Sequence, residues 1–184
     1  MKKVTVKQLA VVGIMTALVF VASWIMIPIS TGIDNTRIHL GNVMCLLSGL
    51  MMGGLLGGCA SGIGSAIFDL TSPIYIAYAP ATLVLKFFIG FIAGHIAYAK
   101  GRNGGFTKWN ITGSIIASVA YSVLYLIESY IVNRLVYLLT PEAALVALVP
   151  KITATLINGL IACVIAVPLA AAIKAALKRA NVSL

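Results

Sequence analysis

Apolar residues in this chain gather into long runs parted by short hydrophilic pieces. A helix needs about 20 mostly apolar residues to cross the hydrocarbon of a bilayer. The first run, roughly Leu9 to Ile27, follows Lys2, Lys3 and Lys7 and stops at Pro28. It is too long for the apolar part of a signal peptide, and no small-residue cleavage site follows it. Three later runs are equally clear: Ala79 to Ala99, Ile111 to Leu139 and Thr153 to Leu177. The stretch from Leu40 to Leu70 is long for one span and short for two, with Gly53, Gly54, Gly57 and Gly58 breaking its middle.

Charge resolves that stretch. If it crosses twice, the clusters Lys2/Lys3/Lys7, Lys100/Arg102/Lys108 and Lys174/Lys178/Arg179 all fall on one side, as the positive-inside tendency requires. If it crosses once, two of the three clusters lie opposite the first. The expected architecture is therefore an all-α membrane protein: six transmembrane helices in a compact bundle, both termini cytoplasmic. Trp24 and Trp109 then fall near opposite interfaces. The connecting loops are short, so residues 1–184 are expected to form a single integral membrane domain.

Composition agrees. Apolar residues make up 61% of the 184 and charged residues 9%, against about 45–50% and about 25% in soluble domains. A mean hydropathy of +1.07 cannot be hidden in one water-soluble core. The net charge of +9 would suit a nucleic-acid partner, but most of the basic residues sit at the ends of apolar runs. Cys45, Cys59 and Cys163 are isolated within apolar segments and read as packing residues. There is no Gly-Lys-Ser/Thr phosphate loop and no nucleophile beside a base, so neither an ATPase nor an enzyme is expected, nor any cofactor. His39 and His95 lie at opposite faces without a carboxylate cluster, which argues against a metal site.

Ionisable groups inside a membrane span are costly and usually face the bundle interior. Here they are Asp69, Lys86, Glu128 and Arg134, with Asn158 as a neutral companion. In the six-span arrangement Asp69, Lys86, Glu128 and Asn158 all lie in the outer half, which points to one shared polar cavity open to the exterior. Helical spacing puts Thr82, Lys86 and Gly90 on one face, Ser118, Tyr121, Tyr125 and Glu128 on another, and Lys151, Thr155 and Asn158 on a third. Tyr121 and Tyr125 are suited to stack on a planar ligand while offering hydroxyl groups. The plainer alternative is that the charges only pair to hold the helices together. The outer segment from Thr31 to Asn42 is polar enough to fold over the cavity, bringing Arg37, His39 and Asn42 to a ligand from above. A separate feature is the small-residue stripe Ala10, Gly13 and Ala17 on the first span, a face that lets another helix approach closely. Gly58, Gly62 and Gly64 make the third span similarly thin, there for packing within the chain.

Three stretches carry a resemblance to a known family: IHLGN from Ile38, GGCASGIGSAIFD from Gly57 to Asp69, and YAPATLVLK from Tyr78 to Lys86. Over nearly its whole length the chain resembles the S component, the substrate-binding membrane subunit of energy-coupling-factor (ECF) vitamin transporters, in its riboflavin-transporter-like branch. Asn42 departs from the acidic residue that related sequences often carry there. The resemblance implies capture of a water-soluble vitamin or precursor from outside: a pyridoxine- or hydroxymethylpyrimidine-like heteroaromatic, or riboflavin. It implies a transmembrane coupling subunit and two cytoplasmic ATPases as partners, docking through the small-residue first span, and delivery by toppling in a bacterial or archaeal plasma membrane. The competing class is a stand-alone facilitator or channel, which needs a polar path through the inner halves of the spans; these are apolar and glycine-rich.

Overall fold

The computed structural model describes residues 4–30 and 35–182. Lys2, Lys3 and the segment 31–34 of the expected outer loop lie outside the described residues. Helix α1 (Val6–Trp24) opens on a capping box. The Thr5 hydroxyl accepts from Gln8 N at 3.2 Å, and the Gln8 side chain accepts from Thr5 N at 3.1 Å. It ends three residues before Ile27, because Met26–Ser30 forms strand β1. This strand pairs antiparallel with β2 (Asn35–His39), from Met26 opposite His39 to Ser30 opposite Asn35. A short β-hairpin thus stands where the sequence suggested a loop, and the chain is not wholly helical. Apolar Ile25, Met26 and Ile27 prolong the run of α1, and such residues suit strand and helix alike.

The ambiguous stretch divides into α2 (Gly41–Met52) and α3 (Gly54–Thr71). The break falls at Gly53 alone, whose φ of 80° a side chain would resist, while Gly54, Gly57 and Gly58 lie within α3. Helices α4 (Ala79–Tyr98) and α5 (Thr107–Leu135) follow, then the short α6 (Pro141–Val146), which the sequence reading did not foresee, and α7 (Val149–Arg179). Among the described residues, α1, α4, α5 and α7 are long and apolar enough to cross a membrane. Helices α2 and α3, of 12 and 18 residues, reach about 18 and 27 Å.

Helix α3 packs most closely on α4, and glycines make this possible. A Cβ on Gly90 would lie 2.5 Å from the carbonyl oxygen of Gly57, so α3 and α4 meet backbone to backbone, and Gly49 of α2 meets Gly90 in the same way. The Ser48 and Ser61 hydroxyls, 2.8 Å apart, both donate to backbone carbonyls at this seam. The lower core is apolar: Leu46, Leu50, Ile89, Ala93 and Ala166 are fully enclosed. Trp24, against Phe68 at 5.0 Å, and Trp109, under the Arg102 guanidinium at 4.0 Å, lie towards opposite ends of the bundle.

Candidate functional site

The hairpin caps a cleft walled by α4, α5 and α7, with the end of α3 completing it. Its cavity of about 70 Å³ is lined by Thr36, Arg37 and His39 from β2, Asp69, Tyr75 and Tyr78, Thr82 and Lys86 from α4, Tyr121, Tyr125 and Glu128 from α5, and Lys151, Thr155 and Asn158 from α7.

Arg37 is anchored from three directions. Its Nη2 donates to Asp69 Oδ1 at 2.9 Å, and the guanidinium lies 3.9 Å from the Tyr75 ring centroid and 4.5 Å from that of Phe68. Asp69 is 1% exposed, so this is a desolvated pair. Arg37 Nη1 is buried and has no hydrogen-bond partner among the described residues, which leaves a charged donor at the cavity.

Lys86, buried in α4, donates from Nζ to Asn42 Oδ1 and lies 4.1 Å from the Tyr121 ring centroid. Tyr121 and Tyr125 are parallel to within 8°, their centroids 5.8 Å apart, one helical turn from each other along α5. The Tyr125 hydroxyl reaches Thr36 Oγ1 at 3.2 Å. Lys151 donates to Ser129 Oγ at 3.2 Å, and Ser122 and Thr155 join α5 to α7 at 3.0 Å. Lys151 Nζ also lies 5.7 Å from the Tyr125 ring centroid, so each ring of the pair has one lysine over it, a placement favourable to cations.

Asn158 uses both ends of its amide on β2. Its Oδ1 accepts from His39 N at 2.9 Å, and its Nδ2 donates to Arg37 O at 2.8 Å. The side chain acts like one residue of a neighbouring strand. His39 is fully buried in the hairpin; burial first, then the charges of Lys86 and Arg37, hold its imidazole well below the ordinary histidine range. Its Nδ1 accepts from Gly41 N at 3.1 Å, which places the ring proton on Nε2.

Of the residues expected from sequence, Lys86, Glu128, Asn158, Tyr121, Tyr125, Asp69, Thr82, Arg37 and His39 line this one cavity. Asn42 stands behind it, holding Lys86. Asp69 pairs with Arg37, and Lys86 with Asn42. Arg134 caps the end of α5 by donating to Leu139 O. Ser118 turns away toward Cys163 Sγ at 3.6 Å. Sequence reasoning missed Tyr75, which sits in an irregular connection where no periodicity assigns it a face. Among the described residues no group of His, Cys, Asp or Glu could hold a metal ion.

The small residues of α1 point elsewhere. Ala10, Gly13 and Ala17 are exposed, and a Cβ on Gly13 would meet nothing within 4 Å. Gly64 of α3, by contrast, would bring a Cβ within 2.5 Å of Thr16 O.

The architecture defines a multi-pass membrane protein with a polar chamber at one end, closed over by a hairpin. A solved structure described as the S component of a bacterial ECF transporter has the same fold, with a TM-score of 0.65 and 21% identity over 94% of this chain and 98% of that one. The family model for the ECF-type riboflavin transporter S component matches residues 3–175, and the chain belongs to that family. Its members are transport subunits, not enzymes. An uncharacterized protein of Pyrococcus woesei, encoded in a gap 3′ region, is 33% identical over 102 residues; the match covers 55% of this chain and 65% of that protein's length.

Proposed function

We propose that the chain captures a small planar heteroaromatic vitamin or precursor, a pyridoxine- or hydroxymethylpyrimidine-like ring or riboflavin, in the cavity beneath the hairpin. The observation that carries this reading is the pair of parallel tyrosines under Lys86 and Lys151, with Glu128 as acceptor and Arg37 Nη1 as donor at the same cavity. Aromatic faces hold a flat ring, and few, fixed polar groups orient it. A cavity of about 70 Å³ is small beside the 300–1,000 Å³ of drug-sized sites. Entry of a vitamin therefore requires the hairpin, or the side chains beneath it, to shift.

In this reading α1, α2, α3, α4, α5 and α7 are the six spans and both termini are cytoplasmic. The exposed stripe Ala10, Gly13 and Ala17 docks on the transmembrane coupling subunit. Two cytoplasmic ATPases power delivery as the subunit topples in a prokaryotic plasma membrane.

The test is ligand binding to the purified subunit by calorimetry, after native mass spectrometry has identified any co-purified molecule. Loss of one hydrogen bond to a charged group costs about 1.5–3 kcal/mol, so Lys86→Met and Glu128→Gln should each weaken binding roughly ten- to hundredfold. If both variants bind normally yet lose thermal stability together, the cavity is a structural polar cluster and the reading fails.

A further inference from the structure

The charged groups around the hairpin cavity do not pair off evenly. Among the described residues it is lined by three cations, Arg37, Lys86 and Lys151, and two carboxylates, Asp69 and Glu128. Asp69 is committed to Arg37 at 2.9 Å. Glu128 and Lys151 meet at one hydroxyl: Ser129 Oγ donates to Glu128 Oε2 at 3.4 Å and accepts from Lys151 Nζ at 3.2 Å. That leaves Lys86, which is 3% exposed. Its partners are the neutral Asn42 amide and the face of Tyr121, and among the described residues no carboxylate forms an ion pair with it. Of the chain's other two acidic residues, Glu142 is exposed on α6. Asp34 lies outside the described residues, joined to Asn35, which the extended β2 sets about 13 Å from His39. Lys86 is tied to Asn42, on the far side of His39 along the chain.

A second charged donor is idle at the same cavity. Arg37 spends Nη2 on Asp69, while Nη1 is buried with no hydrogen-bond partner among the described residues. An ammonium has three donors. Lys86 gives one to Asn42 and turns another side to the Tyr121 ring, which leaves a donor for a ligand. The charges of Lys86 and Arg37 both act on buried His39, so the two cations share one neighbourhood. A buried cation without a counter-charge is costly unless water or a ligand answers it. Water serves while the cavity is open to it. A ring that fills the cavity drives that water out and must supply what it gave.

We propose that the ligand is an anion, a planar heteroaromatic ring bearing a carboxylate, with one carboxylate oxygen on Lys86 Nζ and the other on Arg37 Nη1. This rests on the hairpin cavity being the capture site and narrows the rings it takes. A neutral ring of the same shape would leave Lys86 buried without a counter-charge.

Calorimetry on the purified full chain in detergent tests this with three probes. They are pyridine-3-carboxylate, its neutral amide pyridine-3-carboxamide, and acetate, which has the charge without the ring. The ring carboxylate should bind roughly ten- to hundredfold more tightly than the amide, the span of one hydrogen bond to a charged group, and far more tightly than acetate. Lys86→Gln strands no carboxylate, because none is paired with Lys86 among the described residues. It should keep the parent's melting temperature and lose most of the preference for the carboxylate over the amide. Arg37→Lys keeps a positive charge beside Asp69 but gives up the second guanidinium nitrogen, so it should lose part of that preference. If the parent protein binds the amide as tightly as the carboxylate, the anionic ligand is overturned while capture of a heteroaromatic ring stands. Full preference for the carboxylate in both variants would overturn its placement on Lys86 and Arg37. Acetate binding as tightly as the ring carboxylate would overturn the ring, and with it the reading of the cavity as a heteroaromatic site. Failure of both rings to bind would overturn the two together.

Discussion

The bundle is closed in two different ways. Along the α2–α3–α4 seam, Gly49, Gly57 and Gly90 bring three helices together backbone to backbone, with only serine hydroxyls between them. At the hairpin end, closure depends on separate polar contacts: Asn158 to β2, Tyr125 to Thr36, Arg37 to Asp69. Where Gly49, Gly57 and Gly90 meet, backbone lies against backbone, so the seam resists motion short of separating the helices. The hairpin contacts are few and directional, worth about 0.5–1.5 kcal/mol each where neutral and about 1.5–3 kcal/mol where charged. The two regions are thus closed with different materials.

The largest effect should come from breaking the seam. Gly90→Leu would drive a side chain into the Ser61 hydroxyl and the Gly57 carbonyl, and the Gly57 backbone would have to yield. Overpacking a close-packed interior costs about 1–3 kcal/mol and sometimes more, against a total stability of about 5–15 kcal/mol. The variant should accumulate poorly and melt far below the parent protein in detergent. A melting temperature within a degree or two of the parent would mean the seam opens readily, and the contrast between the two ends would be lost.

Asn158→Ala attacks the other kind of closure. It leaves His39 N and Arg37 O without partners, at a cost of about 1–3 kcal/mol per buried group left unsatisfied, partly relieved because water reaches the hairpin more easily than the seam. The global melt should shift less than for Gly90→Leu, while hydrogen exchange at the amides of β2 speeds up. Asn158→Asp keeps an acceptor for His39 N but sets a carboxylate against the Arg37 carbonyl, so it should not restore protection. If β2 amides exchange at the parent rate in Asn158→Ala, the hairpin is held by something other than this amide.

Much of this division was legible in the sequence, and physics explains which parts. A lysine or glutamate in an apolar run is expensive, so Lys86, Glu128 and Asp69 advertised a shared interior, and helical spacing brought Tyr121, Tyr125 and Asn158 to it. The hairpin was not legible because Met26–Ser30 continues an apolar run and its partner strand is short and polar. Asn42 and Asn158 were picked out as polar, but their partners, Lys86 Nζ and the β2 backbone, are set by tertiary approach. Sequence can say that a residue needs a partner; only the fold says which. The glycines of α3 and the small residues of α1 look alike in the chain, and here too only the fold distinguishes them.

Acidity offers a milder probe of the hairpin end. His39 is held neutral by burial and by the nearby Lys86 and Arg37 charges, and its Nδ1 accepts a backbone proton. The unfolded chain takes up its proton near pH 6.5, before the folded one does. Stability is therefore full above that pH and declines as pH falls below it. Melting temperature in detergent should be level from pH 8 to about 6.5 and drop toward pH 5, with the drop reduced in His39→Gln. A flat profile in the parent protein, or an equal drop in the variant, would remove His39 as the cause.

The smallest effect on the isolated subunit is expected at the exposed small-residue stripe of α1, where a Cβ on Gly13 would meet nothing within 4 Å among the described residues. Gly13→Leu places its side chain in open space beside exposed Ala10 and Ala17. Surface substitutions away from special features usually change stability by no more than about 0.5 kcal/mol, and here loss of a helix glycine adds a small gain. Melting temperature and ligand affinity of the purified subunit should stay within error of the parent. In a helix pair packed through small residues, however, added methylenes force the backbones apart. Co-purification with the coupling subunit should therefore fall sharply for Gly13→Leu and Ala17→Leu, and much less for Gly13→Ala. Should Gly13→Leu lower the melting temperature as Gly90→Leu does, α1 is an internal packing face like α3. Should it leave both stability and assembly untouched, the partner docks through another surface, and the exposed stripe of α1 faces lipid alone.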